Sequence, residues 1–462
     1  MWFLDRLALE LLAPLAVWVF ASGLDDLVID LSWFWLLLRG RRGTGSRPNQ
    51  QPSGEPRVAI LAPCWQEHAV LERMLRRNLE NIRYGNYDIW IGLYPNDQPS
   101  LLAATRAGLL SEKIHRVVGS RPGPTTKADN MNQLIRGILS WEKRTGIRYD
   151  FFLFHDAEDV IHPYELHEAA RLLQQSHMVQ LPVLPLAMPP SQITHGVYAD
   201  EFAEFHCKDL RVRSAFGGFI PSAGVATALS RQVIERLLIL RGDEIFNPRS
   251  LTEDYFLGLE VQRLGFRQAF SFTRNPESRE LIASRSYFPD TFKAAVRQRT
   301  RWITGNNLQA WERFGWRAGP RQLYWFWRDR KGLLNQLPNL LAAGLFVFGG
   351  FRWLWSLFEG TPWAAGAALS QTPWLGALLA ANAGLVLWRL AVRTGFGWRI
   401  YGWRHAAFAP IRMPWANVIN FCASYMAVRG FFRAKFGKKP LLWVKTVHSF
   451  PDAAPAKTSR TA

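Results

Sequence analysis

The stretch Phe151-Phe-Leu-Phe-His-Asp156-Ala-Glu158-Asp159 constrains this chain more than any other, because four apolar or aromatic residues deliver a knot of carboxylates to one point. A continuous apolar run bounded by polar residues reads as a strand of a parallel sheet covered on both faces, and such sheets bind ligands beyond the carboxyl ends of their strands. Acids packed this closely repel one another. A hard divalent cation that also holds a pyrophosphate would draw on two carboxylates one residue apart. A second reading of the same residues is a strand running into a turn, with Asp159 capping the segment Pro163-Tyr-Glu-Leu-His-Glu-Ala-Ala-Arg171.

The flanking sequence repeats the pattern. Val58-Ala-Ile-Leu-Ala-Pro63-Cys-Trp-Gln-Glu67 is a short apolar strand ending in a turn, followed by helical spacing from Val70 to Ile82. Tyr87 to Asp97 is a second strand that ends on an acid, and His115-Arg-Val-Val-Gly is a third candidate. Thr125-Thr-Lys127-Ala-Asp129-Asn130-Met-Asn132 opens a helix through Trp141, and Met178 to Leu186 is another buried segment. Strand, helix, strand, helix at this spacing predicts a doubly wound sheet.

Long apolar runs crowd both ends of the 462 residues, while the middle is charged. Leu7 to Leu24 is long enough to cross a bilayer. Asp25, Asp26 and Asp30 then interrupt the apolarity, so residues 1–42 are expected to form one span followed by an interfacial helix over Leu31–Leu38. Without a basic n-region, this run is not expected to be a signal peptide. Residues 43–56 are rich in Gly, Ser, Pro and Gln and read as a linker. Residues 57–330 form the expected soluble domain, with an interface helix over 291–311.

In the segment 331–430, Leu333–Phe358 and Trp374–Val392 can each span, whereas Trp415–Gly430 is expected to be interfacial or re-entrant. Residues 431–462 are expected to be a tail on the side of the soluble domain. Arg39, Arg41 and Arg42, and later Arg393, Arg399, Arg404 and Arg412, place that side in the cytoplasm by the positive-inside rule.

A net charge of +19 suits nucleic acid, an anionic membrane surface or phosphorylated substrates. The 21 tryptophans, many beside the apolar runs, favour the membrane, and no nucleic-acid-binding motif is present. Cys64, Cys207 and Cys422 have no metal-site or disulfide spacing.

Three further stretches bear on chemistry. Phe216-Gly-Gly-Phe-Ile-Pro-Ser222-Ala-Gly224 is a small-residue loop on which backbone can approach a ligand closely. Thr252-Glu253-Asp254 opens a helix that ends near Gly265, a pattern that capping alone also explains. Arg297-Gln298-Arg299-Thr-Arg301-Trp302 suits phosphate or lipid headgroups, or a solvated basic face beside the bilayer.

Taken in order, Pro63-x-x-x-Glu67, Asp97, Lys127-Ala-Asp-Asn130, Asp156-Ala-Glu158, Thr252-Glu-Asp254 and Gln298-Arg-Thr-Arg301-Trp302 resemble membrane-bound family 2 glycosyltransferases of the cellulose synthase type, over about half the chain. The resemblance is closer still to the glycosyltransferase part of the bacteriophage adsorption protein B family, through His155-Asp-Ala-Glu-Asp-Val, Trp327-Arg-Asp-Arg-Lys-Gly, Gly437-Lys-Lys-Pro and Lys445-Thr-Val-His-Ser-Phe-Pro451.

The resemblance implies a GT-A fold, an α/β Rossmann-like doubly wound and mainly parallel sheet in the cytoplasm, joined to an α-helical transmembrane region in the bacterial inner membrane. It also implies a set of roles. Glu67, Asp97, Lys127, Asn130 and Asp156 would bind a UDP-sugar, and Asp156 with Glu158 would hold Mg2+ or Mn2+. Glu158 stands where Asp is commoner in the family, and Asp159 is the alternative second ligand. Asp254 would be the general base, with Glu253 beside it as a competitor. Ser222 and Gly224 would border the acceptor, Gln298, Arg299 and Arg301 would face the diphosphate, and Trp302 would stack on the acceptor sugar. The acceptor is expected to be a glycan or a lipid-linked sugar, with an export partner on the periplasmic or outer-membrane side. A membrane receptor or scaffold whose transferase site is vestigial is the reading from a different class.

Overall fold

The N-terminal apolar run forms one unbroken helix, α1 (Trp2–Arg39), and not a span followed by a separate interfacial helix. The three acids do not break it because each has a partner. Lys331 Nζ reaches Asp25 at 2.6 Å and Asp26 at 2.8 Å, while Lys208 and the Trp388 indole hold Asp30. Beyond them Ile29, Trp33 and Leu36 pack with Phe219, Tyr255, Phe256 and Phe326, so the second half of α1 is a strut in the folded domain. The computed structural model describes residues 2–40, 54–360 and 363–437; Arg41, Arg42, the linker from 43 to 53, and the tail from Lys438, including Lys445 to Pro451, lie outside the described residues.

The sheet begins with β1 (Val58–Pro63), followed by α2 (His68–Asn81), β2 (Tyr87–Leu93), α3 (Gln98–Gly108), β3 (Ile114–Val118), α4 (Lys127–Thr145) and β4 (Phe151–Phe154). β1, β2 and β4 are buried along nearly their whole length, as unbroken apolar runs require of strands covered on both faces. In α4 the Thr126 side chain accepts from the Asp129 amide at 3.2 Å, Met131, Leu134, Ile135 and Ile138 share one buried face, and Gly146 ends the helix at φ 75°.

After α5 (Glu165–Leu173) come β5 (Met178–Gln180), β6 (Val183–Pro185) and α6 (Ile193–Glu204), then a π-helical turn at Phe205–Asp209 and α7 (Leu210–Ala215). β7 (Thr227–Ser230), α8 (Arg231–Arg241), α9 (Glu253–Arg263), β8 (Gln268–Phe270) and β9 (Ser284–Ser286) complete the sheets. The main sheet runs β3-β2-β1-β4-β7-β5-β8, parallel except where β7 meets β4 and β5. β6 and β9 form a separate parallel pair. Strand order reverses between β1 and β4. Side chains alternate across the pleat: Ile60, Ile89, Ile91 and Leu153 pack toward α2 and α3, while Leu61, Trp90, Phe152 and Phe154 pack toward α4 and α8.

The remaining chain is helical: α10 (Phe292–Trp302), a π-helical stretch at Ile303–Gln309, α11 (Ala310–Phe314), α12 (Pro320–Glu359), α13 (Ala364–Ser370), α14 (Pro373–Tyr401), α15 (Trp403–Ala406) and α16 (Ala409–Gly437). Among the described residues, α1, α12 and α14 are long and apolar enough to cross a membrane. α16 packs instead against α6, α10 and α12. Arg412, at its start, is buried against Asp200 of α6 with Nε–Oδ2 2.6 Å, and Asp200 also meets His405 at 2.8 Å.

Candidate active site

Where strand order reverses, the loops after β1 and β4 diverge and leave a cleft of about 950 Å³. Its floor is the acid loop. The His155 amide donates to Leu61 O at 3.0 Å, so Asp156 emerges just past the paired strands. Asp159 turns back under the loop: its carboxylate accepts from the Asp156 amide at 2.9 Å and meets His155 Nδ1 at 3.1 Å, while His155 Nε2 faces Glu165 at 3.0 Å. Burial opposes charge on that imidazole, but Glu165 and Asp159 outweigh it and raise His155 to about 9. Asp159 is therefore a brace beneath the loop. It does not cap α5, whose N-cap is Tyr164.

Lys127, at the first turn of α4, joins the two walls. Its Nζ lies 2.5 Å from Asp156 and donates to Gly224 O at 3.1 Å. Burial would discharge it, yet Asp156, Glu253 and Asp254 together hold its pKa above the ordinary lysine value. Gly224 has φ +76°, and a Cβ there would stand 2.6 Å from Asp254 Oδ2, so both conformation and space demand glycine. Ser222 shapes this loop by accepting from the Gly224 amide at 3.1 Å and bonding Thr227 Oγ1 at 2.8 Å.

Glu253 and Asp254 form the first turn of α9, where the helix N-terminus favours anions. Burial raises both carboxyls. Glu253 is pushed to about 7, with the neighbouring Asp254 as the next cause, and Lys127 works in the opposite direction on each. The two titrate as a unit. Thr252 occupies the N-cap, but its side chain makes no capping hydrogen bond.

α10 supplies another wall. Gln298, Arg301 and Trp302 line the cleft, and Arg301 lowers the pKa of both Glu253 and Asp254. Trp302 sits among Tyr198, Phe202 and Phe288 at ring separations of 6.0, 6.1 and 6.5 Å. Arg299 does not reach freely into the cleft: it is held by Glu201 at 2.7 Å and Asn420 at 2.6 Å, over the Tyr198 ring. Its geometry is that of a strut between α6, α10 and α16, although it borders the cleft as Arg301 does.

On the β1 side, Glu67 and Trp65 line the cleft, as does Asn130, which donates to Gly92 O at 3.2 Å. Asp97 stands behind them. Its two oxygens accept from the Gln66 amide at 2.5 Å and the Ser100 amide at 3.3 Å, so it caps α3 and holds the turn bearing Trp65 and Glu67. The structure thus brings together Glu67, Lys127, Asn130, Asp156, Glu158, Ser222, Glu253, Asp254, Gln298, Arg301 and Trp302, and sets Asp97 one layer back.

Sequence reasoning missed Asp329, Asn306 and Asn307, and also Arg389 and Arg393 from α14, all of which line the same cleft. Arg393 counted only as a topology signal, Arg389 lay inside the expected span Trp374–Val392, and Asp329 stood inside Trp327-Arg-Asp-Arg-Lys with no role attached.

The oxygen-only pair Asp156 and Glu158 matches what a hard divalent cation prefers. Among the described residues no three His, Cys, Asp or Glu side chains are grouped to hold a metal unaided. The rest of a coordination shell would fall to diphosphate and water oxygens.

The family model described as "Glycosyltransferase like family 2" matches residues 56–305, the stretch that carries the sheet, the acid loop and the α10 wall. The chain belongs to this glycosyltransferase family. Bacteriophage adsorption protein B of Escherichia coli strain K12 and bacteriophage N4 adsorption protein B of E. coli O157:H7 are each 33% identical to it over 484 aligned residues, covering 98% of this chain and 64% of theirs. The chain thus spans less than two thirds of the length of those relatives. A mannosyltransferase from Pyrobaculum calidifontis, solved with GDP-Man and Mn2+, is similar over 88% of this chain and 99% of its own, with TM-score 0.52 and 17% identity. The fold of this family 2 glycosyltransferase is of the GT-A type. Asp329, Arg389 and Arg393 lie beyond the family match, in the helices that follow it.

Proposed function

We propose that this family 2 member transfers sugar from a nucleoside-diphosphate donor such as a UDP-sugar, with inversion, to extend a β-linked polysaccharide at the cytoplasmic face of the inner membrane. The observation that carries the reading is the bridge made by Lys127, which ties Asp156 on the acid loop to Gly224, whose Cα packs against Asp254. Donor phosphate and acceptor hydroxyl would meet across that bridge.

In this reading Trp65 and Glu67 border the nucleoside, and Asp97 holds their turn in place. Asp156 and Glu158 hold Mg2+ or Mn2+, which when bound neutralises the departing diphosphate. Lys127 and Arg301 add fixed positive charge beside the same phosphates. Asp254 removes the proton from the acceptor hydroxyl as it attacks the anomeric carbon, and its raised pKa strengthens it as a base near neutral pH. Trp302, with the aromatic rings around it, offers a flat apolar face to the acceptor sugar.

Transfer of a single sugar to a polyprenyl phosphate is the second reading. It is supported by the continuation of the cleft to Arg389 and Arg393 on α14, where a lipid-borne acceptor would be within reach. Both differ from a scaffold whose site is vestigial. Membranes carrying the protein, supplied with a panel of radiolabelled nucleotide sugars, are expected to turn over at least one of them and to lose that turnover in Asp254→Asn. Long products support polymerisation and single-sugar lipid products support the second reading. Turnover that is unchanged in Asp254→Asn, or absent with every donor, overturns the enzyme reading.

A further inference from the structure

The segment Trp327-Arg-Asp-Arg-Lys331 lies in the first turns of α12, below the apolar part of that helix, and each of its charges is committed. Arg328 meets Asp25 of α1 at 2.8 Å and Asp209 at 3.5 Å. Lys331 meets Asp25 and Asp26. Arg330 lies over the rings of Trp316, Phe326 and Trp311 and donates to Gly315 O at 2.6 Å. The turn is therefore clamped to the first membrane helix on one side and to the α11 region on the other.

Asp329 points the other way, into the cleft wall. Its Oδ2 accepts from the Tyr255 hydroxyl at 2.6 Å, and its two oxygens take a bidentate pair from Arg213 at 2.7 and 2.9 Å. Tyr255 directly follows Asp254, and its amide donates to Asp254 Oδ1 at 2.7 Å. Arg213 in turn donates through Nε to Phe219 O at 2.6 Å. Gln322, also on α12, accepts from the Phe219 amide at 3.1 Å and donates to Gly217 O at 3.0 Å. Asn307, from the π-helical stretch after Trp302, donates to Asp329 O at 2.6 Å. One carboxylate and its own backbone thus fasten three elements that meet at the cleft: the base helix α9, the loop leading to Gly224, and the segment following α10.

We infer that Asp329 is a positioning residue that sets Asp254 against Gly224 and Lys127, so that the seating of α12 against α1 in the membrane fixes the geometry of the base. The inference rests on the proposed role of Asp254. The half-buried carboxylate has both a cation and a hydroxyl to hold, in a bidentate and a short geometry. A displacement of the base by a fraction of an ångström would lower turnover while leaving donor contacts on the β1 and β4 side intact.

The test compares steady-state kinetics of the full-length protein in membranes for wild type, Tyr255→Phe, Asp329→Asn and the double variant. Tyr255→Phe deletes one hydroxyl and leaves the Arg213 pair in place, so it keeps the test decisive if Asp329→Asn fails to fold. The expected result is a fall in kcat of roughly tenfold to a hundredfold in each single variant, donor KM within about twofold of wild type, and no further loss in the double variant. Wild-type kcat in a folded Tyr255→Phe protein overturns the inference. So do losses that appear in donor KM or that follow melting temperature, because those belong to a general structural role. Wild-type membranes that turn over no nucleotide sugar remove the parent reading and this inference with it, a result distinct from an active wild type with an equally active Tyr255→Phe.

Discussion

Around β1, β2 and β4 the fold is closed by apolar side chains: Ile60, Leu71, Ile89 and Leu153 on one face, and Leu61, Leu134 and Phe152 on the other, all buried. Around α6, α12, α14 and α16 smaller apolar clusters share that task with ion pairs, including Asp200 with Arg412 and His405, Glu204 with Lys208 and Arg393, and Asp329 with Arg213. Arg393 and Lys208 outweigh burial and hold Glu204 well below the usual carboxylate range. The first region is specified by pattern, since any well-sized apolar side chain of the right period will serve. The second is specified by individual partners, each lost outright if its counterpart goes. The cleft lies on the seam, with one wall from each.

The sharpest way to break this comparison is at the seam. Asp254→Asn, on the wall fastened by ion pairs, is expected to cut turnover by about a thousandfold or more while leaving the melting temperature near wild type, read by radiolabelled transfer and thermal denaturation in detergent. A variant that unfolds instead would make the acid a structural member of its wall. Next in size, Arg412→Met leaves Asp200 buried with only His405 beside it, and a loss of about 3–5 kcal/mol is expected. The paired change with Asp200→Asn should recover part of it, and failure to recover would mean that packing, and not charge, holds α16 to α6.

A smaller effect separates the two acids of α9. With both carboxyls raised by burial, the base holds its proton to higher pH than an ordinary aspartate, so activity falls on the acid side. Glu253→Gln removes a negative neighbour, and the acid limb of the kcat profile is expected to move to lower pH. An unmoved limb would place the titrating group elsewhere. Smallest of all, Ile60→Val in the sheet should cost about 0.5–1.5 kcal/mol, with little dependence on salt or pH.

The same contrast explains what could be read without coordinates. Apolar runs at β1, β2 and β4, the opening of α4 after Thr125, and acids at strand ends are local features, and local features survive in a linear text. For Asp97 and Arg299 the residue types suit ligands, while their partners within the fold, the Gln66 amide and the Glu201 carboxylate, are known only once the chain is folded. The continuity of α1 was hidden for the same reason: the cations that neutralise Asp25 and Asp26 stand some three hundred positions away, at Arg328, Lys331 and Arg389. Asp329 gave no local signal, being one charge in a run of four.

The separation of those cations from α1 also orders biogenesis. A ribosome makes Asp25 303 residues before Arg328, and Asp26 363 residues before Arg389. A carboxylate carried to mid-bilayer costs about 3 kcal/mol on translocon scales, so a first helix that crosses a bilayer would keep its acidic turn toward the headgroups until α12 and α14 emerge. The partners that neutralise the acidic turn of α1 are thus complete only once α12 and α14 have been made.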